Sequence, residues 1–148
     1  MATIVRLIKD LARYERASDQ VEVDNHDLHD ALFGASPHVY CHLVEDDGRV
    51  IAMAVWYLNF STWLGTSGIY LEDLYVSDDA RGRGAGTALM KELARVCAQK
   101  GYRRFEWSVL DWNTPSIRFY KSIGALAMDE WTTYRLSDGA LERFALGD

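Results

Sequence analysis

Two cysteines, Cys41 and Cys97, occur in 148 residues and form no CxxC pair, so no disulfide framework is written into the chain, and free thiols suit a reducing cytoplasm. Two prolines and no low-complexity stretch give no sign of a linker or a repeat. No apolar run reaches the roughly 18 residues that a membrane helix needs. Residues 1–16 carry Asp10 and Glu15, unlike a secretory leader. Positive charge is short as well: 16 Lys and Arg stand against 22 Asp and Glu, a net −6. That argues against a nucleic-acid binder working by general phosphate attraction. What is present is a 49% hydrophobic, 26% charged chain, the composition of a globular protein. Its length predicts a single domain over residues 1–148.

The charge is unevenly placed. Residues 1–80 hold 14 acidic and 5 basic side chains, a net −9, while residues 81–148 hold 8 and 11, a net +3. Such a division fits a molecule whose two halves meet ligands of opposite sign.

Ile4, Leu7, Ile8 and Leu11 recur at helical spacing between Thr3 and Arg16, which predicts an amphipathic helix. A short helix is expected over Asn25 to Leu32, with Asn25 as its cap and Gly34 as its end. Strands are expected at His38 to Glu45 and Arg49 to Phe60, joined by the turn Asp46-Asp47-Gly48. Ser61 to Ser67 reads as a loop carrying an isolated Trp63. Gly68 to Val76 (GIYLEDLYV) reads as a strand with two carboxylates in its middle. After a loop at Ser77 to Arg83, a helix runs from near Gly84 to Lys100, and Gly101 stops it. Arg104 to Val109 is a further strand, Thr114-Pro115 opens a helix that Gly124 closes, and Met128 to Leu136 forms a last strand. A short helix over Ala140 to Leu146 ends the chain. The order predicts an α/β or α+β fold on a mixed sheet.

Two motifs carry chemistry. Arg81-Gly82-Arg83-Gly84-Ala85-Gly86 joins a strand to a helix, where glycines allow close backbone approach and the helix start offers N–H groups to an anion. It is neither a dinucleotide fingerprint, because Thr87 stands where a last glycine is needed, nor a P-loop. Its plain alternative is a tight turn with solvated arginines. Glu72 and Asp73 point to opposite faces of an ideal strand, which sets Glu72 among Tyr70, Leu74 and Val76. A carboxylate there is costly unless it is solvated near the strand end or has a partner or a task.

R-L-I-K-D-L-A-R-Y-E (6–15), Y-L-E-D-L-Y-V (70–76), R-G-R-G-A-G (81–86), W-N-T-P-S-I-R-F-Y-K (112–121) and I-G-A (123–125) together resemble the diamine acetyltransferase branch of the GNAT acetyltransferases, in that family's order and over most of the chain. The resemblance implies a GNAT fold with a central sheet of about six strands and acetyl-CoA as cosubstrate, without a metal. The acceptor would be a primary amine on a small cationic, diamine- or polyamine-like molecule, attacked directly in a ternary complex. The backbone of Arg81 to Thr87 (Arg81, Gly82, Arg83, Gly84, Ala85, Gly86, Thr87) would hold the pyrophosphate, and Leu74, Tyr75 and Val76 the pantetheine arm. Asn113 and Ser116 match cofactor-contacting positions, and Glu106 to Ser108 a segment beside the cofactor. Glu72 falls on the residue implicated as base through water, and Tyr120 on the acid for the leaving thiolate. Tyr14, Glu15, Trp63 and Asp73 would line the acceptor groove. A homodimer in the cytoplasm is implied, with neither a nucleic acid nor a membrane as partner. The alternatives are an acetyltransferase for a lysine- or thialysine-like amino acid, and a CoA-binding module without catalysis.

Three positions depart from the family pattern. Ser61 replaces an acidic residue, Asp129-Glu130-Trp131 replaces Glu-Gly-Trp, and the first family strand is missing before the first helix. His26 and His29, and His38 and His42, lack a third ligand at metal spacing. Cys97 lies on the core stripe of its helix, and no G-x-S-x-G elbow is present.

Overall fold

The computed structural model describes residues 1–147. They divide into two compact units, Met1–Leu110 and a second from Asp111 onward. The first unit contains helix α1 (Ala2–Tyr14), helix α2 (Asn25–Phe33), strands β1 (Tyr40–Asp46), β2 (Arg49–Ser61) and β3 (Thr66–Val76), helix α3 (Ala85–Lys100) and strand β4 (Phe105–Trp107). The sheet order is β1-β2-β3-β4. The first two neighbouring pairs are antiparallel and the third is parallel, so the sheet is mixed and the fold α+β.

Met53 and Val55 of β2 and Tyr75 of β3 pack with Ile4, Leu7 and Leu11 of α1 and with Leu28 and Leu32 of α2. Leu7 and Met53 are fully buried, and truncating either to alanine should cost about 2–5 kcal/mol. On the other face Ala52 and Ala54 are small and fully buried, and α3 packs there through Leu89, Met90, Leu93 and Cys97. The β1–β2 turn forms as expected: Asp47 and Gly48 both take left-handed backbone, φ 51° and 76°, which matches the twist of a two-residue hairpin.

Three expectations need correction. The cap of α2 is Asp24, whose Oδ1 accepts the Asp27 amide at 2.8 Å, so Asn25 is already helical. The strand expected over Arg104 to Val109 shrinks to Phe105–Trp107, because its partner β3 pairs with it only at Ile69, Tyr70 and Leu71. Met128 to Leu136 forms no strand, and among the described residues the sheet has four strands in place of about six. Met128, Trp131, Tyr134 and Leu136 are exposed. Apolar, aromatic and β-branched residues make a strand only where a neighbouring strand takes up the backbone hydrogen bonds.

The second unit holds helices α4 (Thr114–Ser122) and α5 (Asp138–Ala145). Asn113 caps α4 by accepting the Ser116 amide at 3.4 Å, and Pro115 sits in its first turn.

Candidate active site

β3 is where the candidate groups meet. Val55 of β2 opposes Asp73, yet the next residue, Trp56, opposes Leu71. Glu72 is therefore the extra residue of a β-bulge, a device that re-aims side chains. The strict alternation expected for this strand breaks there. Asp73 takes a half-buried place beside Val55, in the row that continues to Cys41 of β1, while Glu72 is exposed. Burial, with the negative charges of Glu72 and Glu15, pushes the Asp73 carboxyl up to about 6. Burial also raises Glu15, at the end of α1. Cys41 is raised to about 11 by burial and by the charge of Asp73. Three carboxylates and a thiol thus influence one another around the bulge in β3.

Past Leu71, β4 no longer pairs with β3. The edge from Glu72 to Val76, which includes Leu74 and Tyr75, has no strand beside it on that side among the described residues. The Tyr75 side chain is buried in the core, so only its backbone can serve a ligand. β4 is fastened by side chains: Tyr70 Oη and Ser108 Oγ are 2.6 Å apart, and Asn59 donates to Glu106 at 3.2 Å.

From Val76 the chain makes one 3-10 turn (Asp78–Ala80) and enters the glycine loop. Gly82 and Gly84 have φ of 84° and 82°, a left-handed conformation that costs other residues about 1–2 kcal/mol. Gly84 caps α3 with no side-chain bond, so the amides of Ala85, Gly86 and Thr87 start the helix at the positive end of its dipole. A Cβ on Gly86 would meet Val76 at 3.5 Å, an ordinary van der Waals contact, so space alone does not require glycine there. The arginines behave otherwise than the sequence suggests. Arg83 pairs with Asp46 at 3.0 Å, and Arg81 with Asp78 at 3.0 Å. Arg49 grips Asp79 with two hydrogen bonds of 2.6 and 2.9 Å. The β1–β2 turn thus braces the loop through Asp46 and Arg49, residues that no local motif singles out.

Tyr14 and Glu15 lie at the end of α1, within the first unit with Asp73. Trp63 is 90% exposed on the turn between β2 and β3. It is at least seven residues from Asp73, so by strand rise about 20 Å away, and it does not join the carboxylates. Asn113, Ser116 and Tyr120 belong to the second unit, where Tyr120 is half-buried on α4. His42 accepts from the Trp56 indole at 2.9 Å, and His29 packs on Phe33. Among the described residues no group of three metal-ligating side chains is gathered, and no helix is long and apolar enough to cross a membrane.

An open strand edge running into a glycine loop at a helix start has the chemistry to hold an extended ligand that carries an anionic group. The comparisons give the family. The acetyltransferase (GNAT) family profile matches residues 4–125. A thialysine N-epsilon-acetyltransferase of Sus scrofa is 35% identical over 153 residues, covering 96% of this chain and 89% of that protein. A spermidine/spermine N(1)-acetyltransferase-like protein 1 of Homo sapiens is 31% identical over 90% of this chain and 21% of its own length. An integron cassette protein from the mobile metagenome of V. cholerae superposes with a TM-score of 0.80 at 28% identity, covering 96% of this chain and 89% of that one. The chain belongs to the GNAT acetyltransferase family and is an acetyl-CoA-dependent N-acetyltransferase.

Proposed function

We propose that the chain acetylates the primary amine of a small cationic acceptor by direct attack in a ternary complex. The observation that carries this reading is the placing of Glu15, Glu72 and Asp73 beside the open edge of β3 and the glycine loop. An aliphatic amine, of pKa about 10.4, arrives as an ammonium ion and must lose a proton before it attacks. The motif points to Glu72 as the base. The bulge, and the Asp73 carboxyl at about 6, support Asp73 as the group that holds the proton, since a base works best near the operating pH. Glu72, facing water, meets the incoming cation. The freed lone pair attacks the thioester carbonyl, and collapse of the tetrahedral adduct breaks the C–S bond. Tyr120 gives its proton to the departing thiolate, and the second proton on the new amide nitrogen returns to the phenolate through solvent. One proton is released for each acetyl group moved.

In this reading the amides of Gly82 to Thr87 hold the pyrophosphate, Leu74 to Val76 the pantetheine arm, and Asn113 and Ser116 further parts of the cofactor. Tyr14 and Glu15 line the acceptor side, and Trp63, at the far tip of the β2–β3 hairpin, stays outside it. Thialysine and polyamines present the same end group, a primary amine on a short alkyl arm. The thialysine relative aligns over nearly the whole chain, and Ser61 stands where the polyamine pattern is acidic. Both features favour an aminoalkyl amino acid over a diamine. A homodimer in a reducing cytoplasm completes the proposal, supported by two free thiols and the exposed apolar side chains from Leu126 to Leu136.

The test is acetyl-CoA turnover with thialysine, lysine, putrescine and spermidine, set against amine-free hydrolysis. Thialysine should raise turnover more than tenfold. A diamine ahead of thialysine by tenfold in kcat/KM reverses the order of acceptors. No turnover with any amine, alongside retained CoA binding, makes the chain a binding module and overturns the reading.

A further inference from the structure

Arg81 opens the glycine loop, and the structure gives its side chain partners of its own. Its guanidinium lies 4.6 Å from the ring centre of Tyr14, in the last turn of α1, and 5.6 Å from that of Tyr75 on β3. Its Nε donates to the Val76 carbonyl at 3.1 Å. The ion pair with Asp78 involves a largely exposed carboxylate, and such pairs hold weakly. The two rings and the carbonyl therefore fix the group, since a guanidinium stacks on aromatic faces and donates from a rigid plane. Tyr75 is itself anchored in the core with Leu7 and Leu11 of α1. Glu15 follows Tyr14 directly and caps α1 through its amide to Leu11 O at 2.9 Å. The placing of Glu15 thus depends on where the last turn of α1 is held.

We propose that Arg81 is a positioning residue for the acceptor side and not a phosphate ligand. One side chain ties the end of α1, which carries Tyr14 and Glu15, to the end of β3 and the start of the glycine loop. The inference rests on the proposed acceptor site, but its test does not rest on that alone.

Arg81→Met keeps the aliphatic stem and removes the charge and donors, while Arg81→Lys keeps the charge over the rings and loses the planar fork. In steady-state kinetics Arg81→Met should raise acceptor KM about tenfold, with acetyl-CoA KM within about threefold, and Arg81→Lys should fall between it and wild type. A tenfold rise in acetyl-CoA KM with acceptor KM unmoved would make Arg81 a phosphate ligand and overturn the proposal. Equal losses in both KM values and kcat would reduce it to a folding role, which also overturns it. Amide hydrogen exchange needs no acceptor: residues 11–16 should exchange faster in Arg81→Met, while CoA affinity measured by calorimetry holds. Unchanged exchange there sinks the idea, even if no amine in the panel is a substrate.

Discussion

The glycine loop and the carboxylate group of β3 are a few residues apart and are built on opposite principles. The loop works with main chain: left-handed glycines, an uncapped helix start and amides, its arginines engaged with Asp46, Asp78 and Asp79 O. The carboxylate group works with side chains whose properties come from burial and from one another. Backbone sites tolerate changes of side chain and resist changes of conformation. Side-chain sites do the reverse.

Three experiments sharpen that contrast. Asp73→Asn exchanges one carboxylate oxygen for an NH2 group at nearly constant volume, and should lower kcat about 10²- to 10⁴-fold, the range for loss of a general base. Glu72→Gln should act mainly on acceptor KM. Similar losses of kcat in both would show that the bulge does not separate their tasks. The same Asp73→Asn variant should be more stable than wild type at pH 7 by up to about 3 kcal/mol, since a shift of one unit is worth about 1.4 kcal/mol. Folding favours the protonated Asp73, so wild type is relatively most stable below pH 3.8 and loses that advantage as pH rises through about 6. The gap in Tm should therefore close toward pH 3.8 and be fully open above pH 6, and a gap independent of pH would contradict the buried charge. At the loop, Gly84→Ala places a Cβ in open space, with nothing within 4 Å, so only its φ of 82° is penalised. Acetyl-CoA affinity should fall about tenfold for 1–2 kcal/mol of strain. Arg83→Ala, which breaks an exposed ion pair, should change it by less than about threefold. A larger loss for Arg83→Ala than for Gly84→Ala would make the loop a side-chain site.

Much of this was readable in order along the chain. The apolar stripe of α1, the Asp-Gly turn, the glycines before α3 and the Pro115 helix start are local signals, and each appears where spacing puts it. Those glycines also mark the place where the chain turns left-handed into the start of α3. The bulge at Glu72 was not legible, because it arises from the register of β3 against β2. The ties from Arg83 to Asp46 and from Arg81 to Tyr14 span 37 and 67 positions, and no local pattern encodes them. Met128 to Leu136 misled for the opposite reason. It carries the composition of a strand without a partner to complete it.

Burial, with the charge of Asp73, also raises the thiol two strands away. With the Cys41 thiol at about 11, only about one molecule in 10⁴ carries a thiolate there at pH 7, and burial pushes Cys97 upward too. Both native thiols are thus slower to react at pH 7 than an exposed cysteine would be. A single cysteine introduced at the exposed Trp63 position would take up a fluorophore selectively and report from the tip of the β2–β3 hairpin.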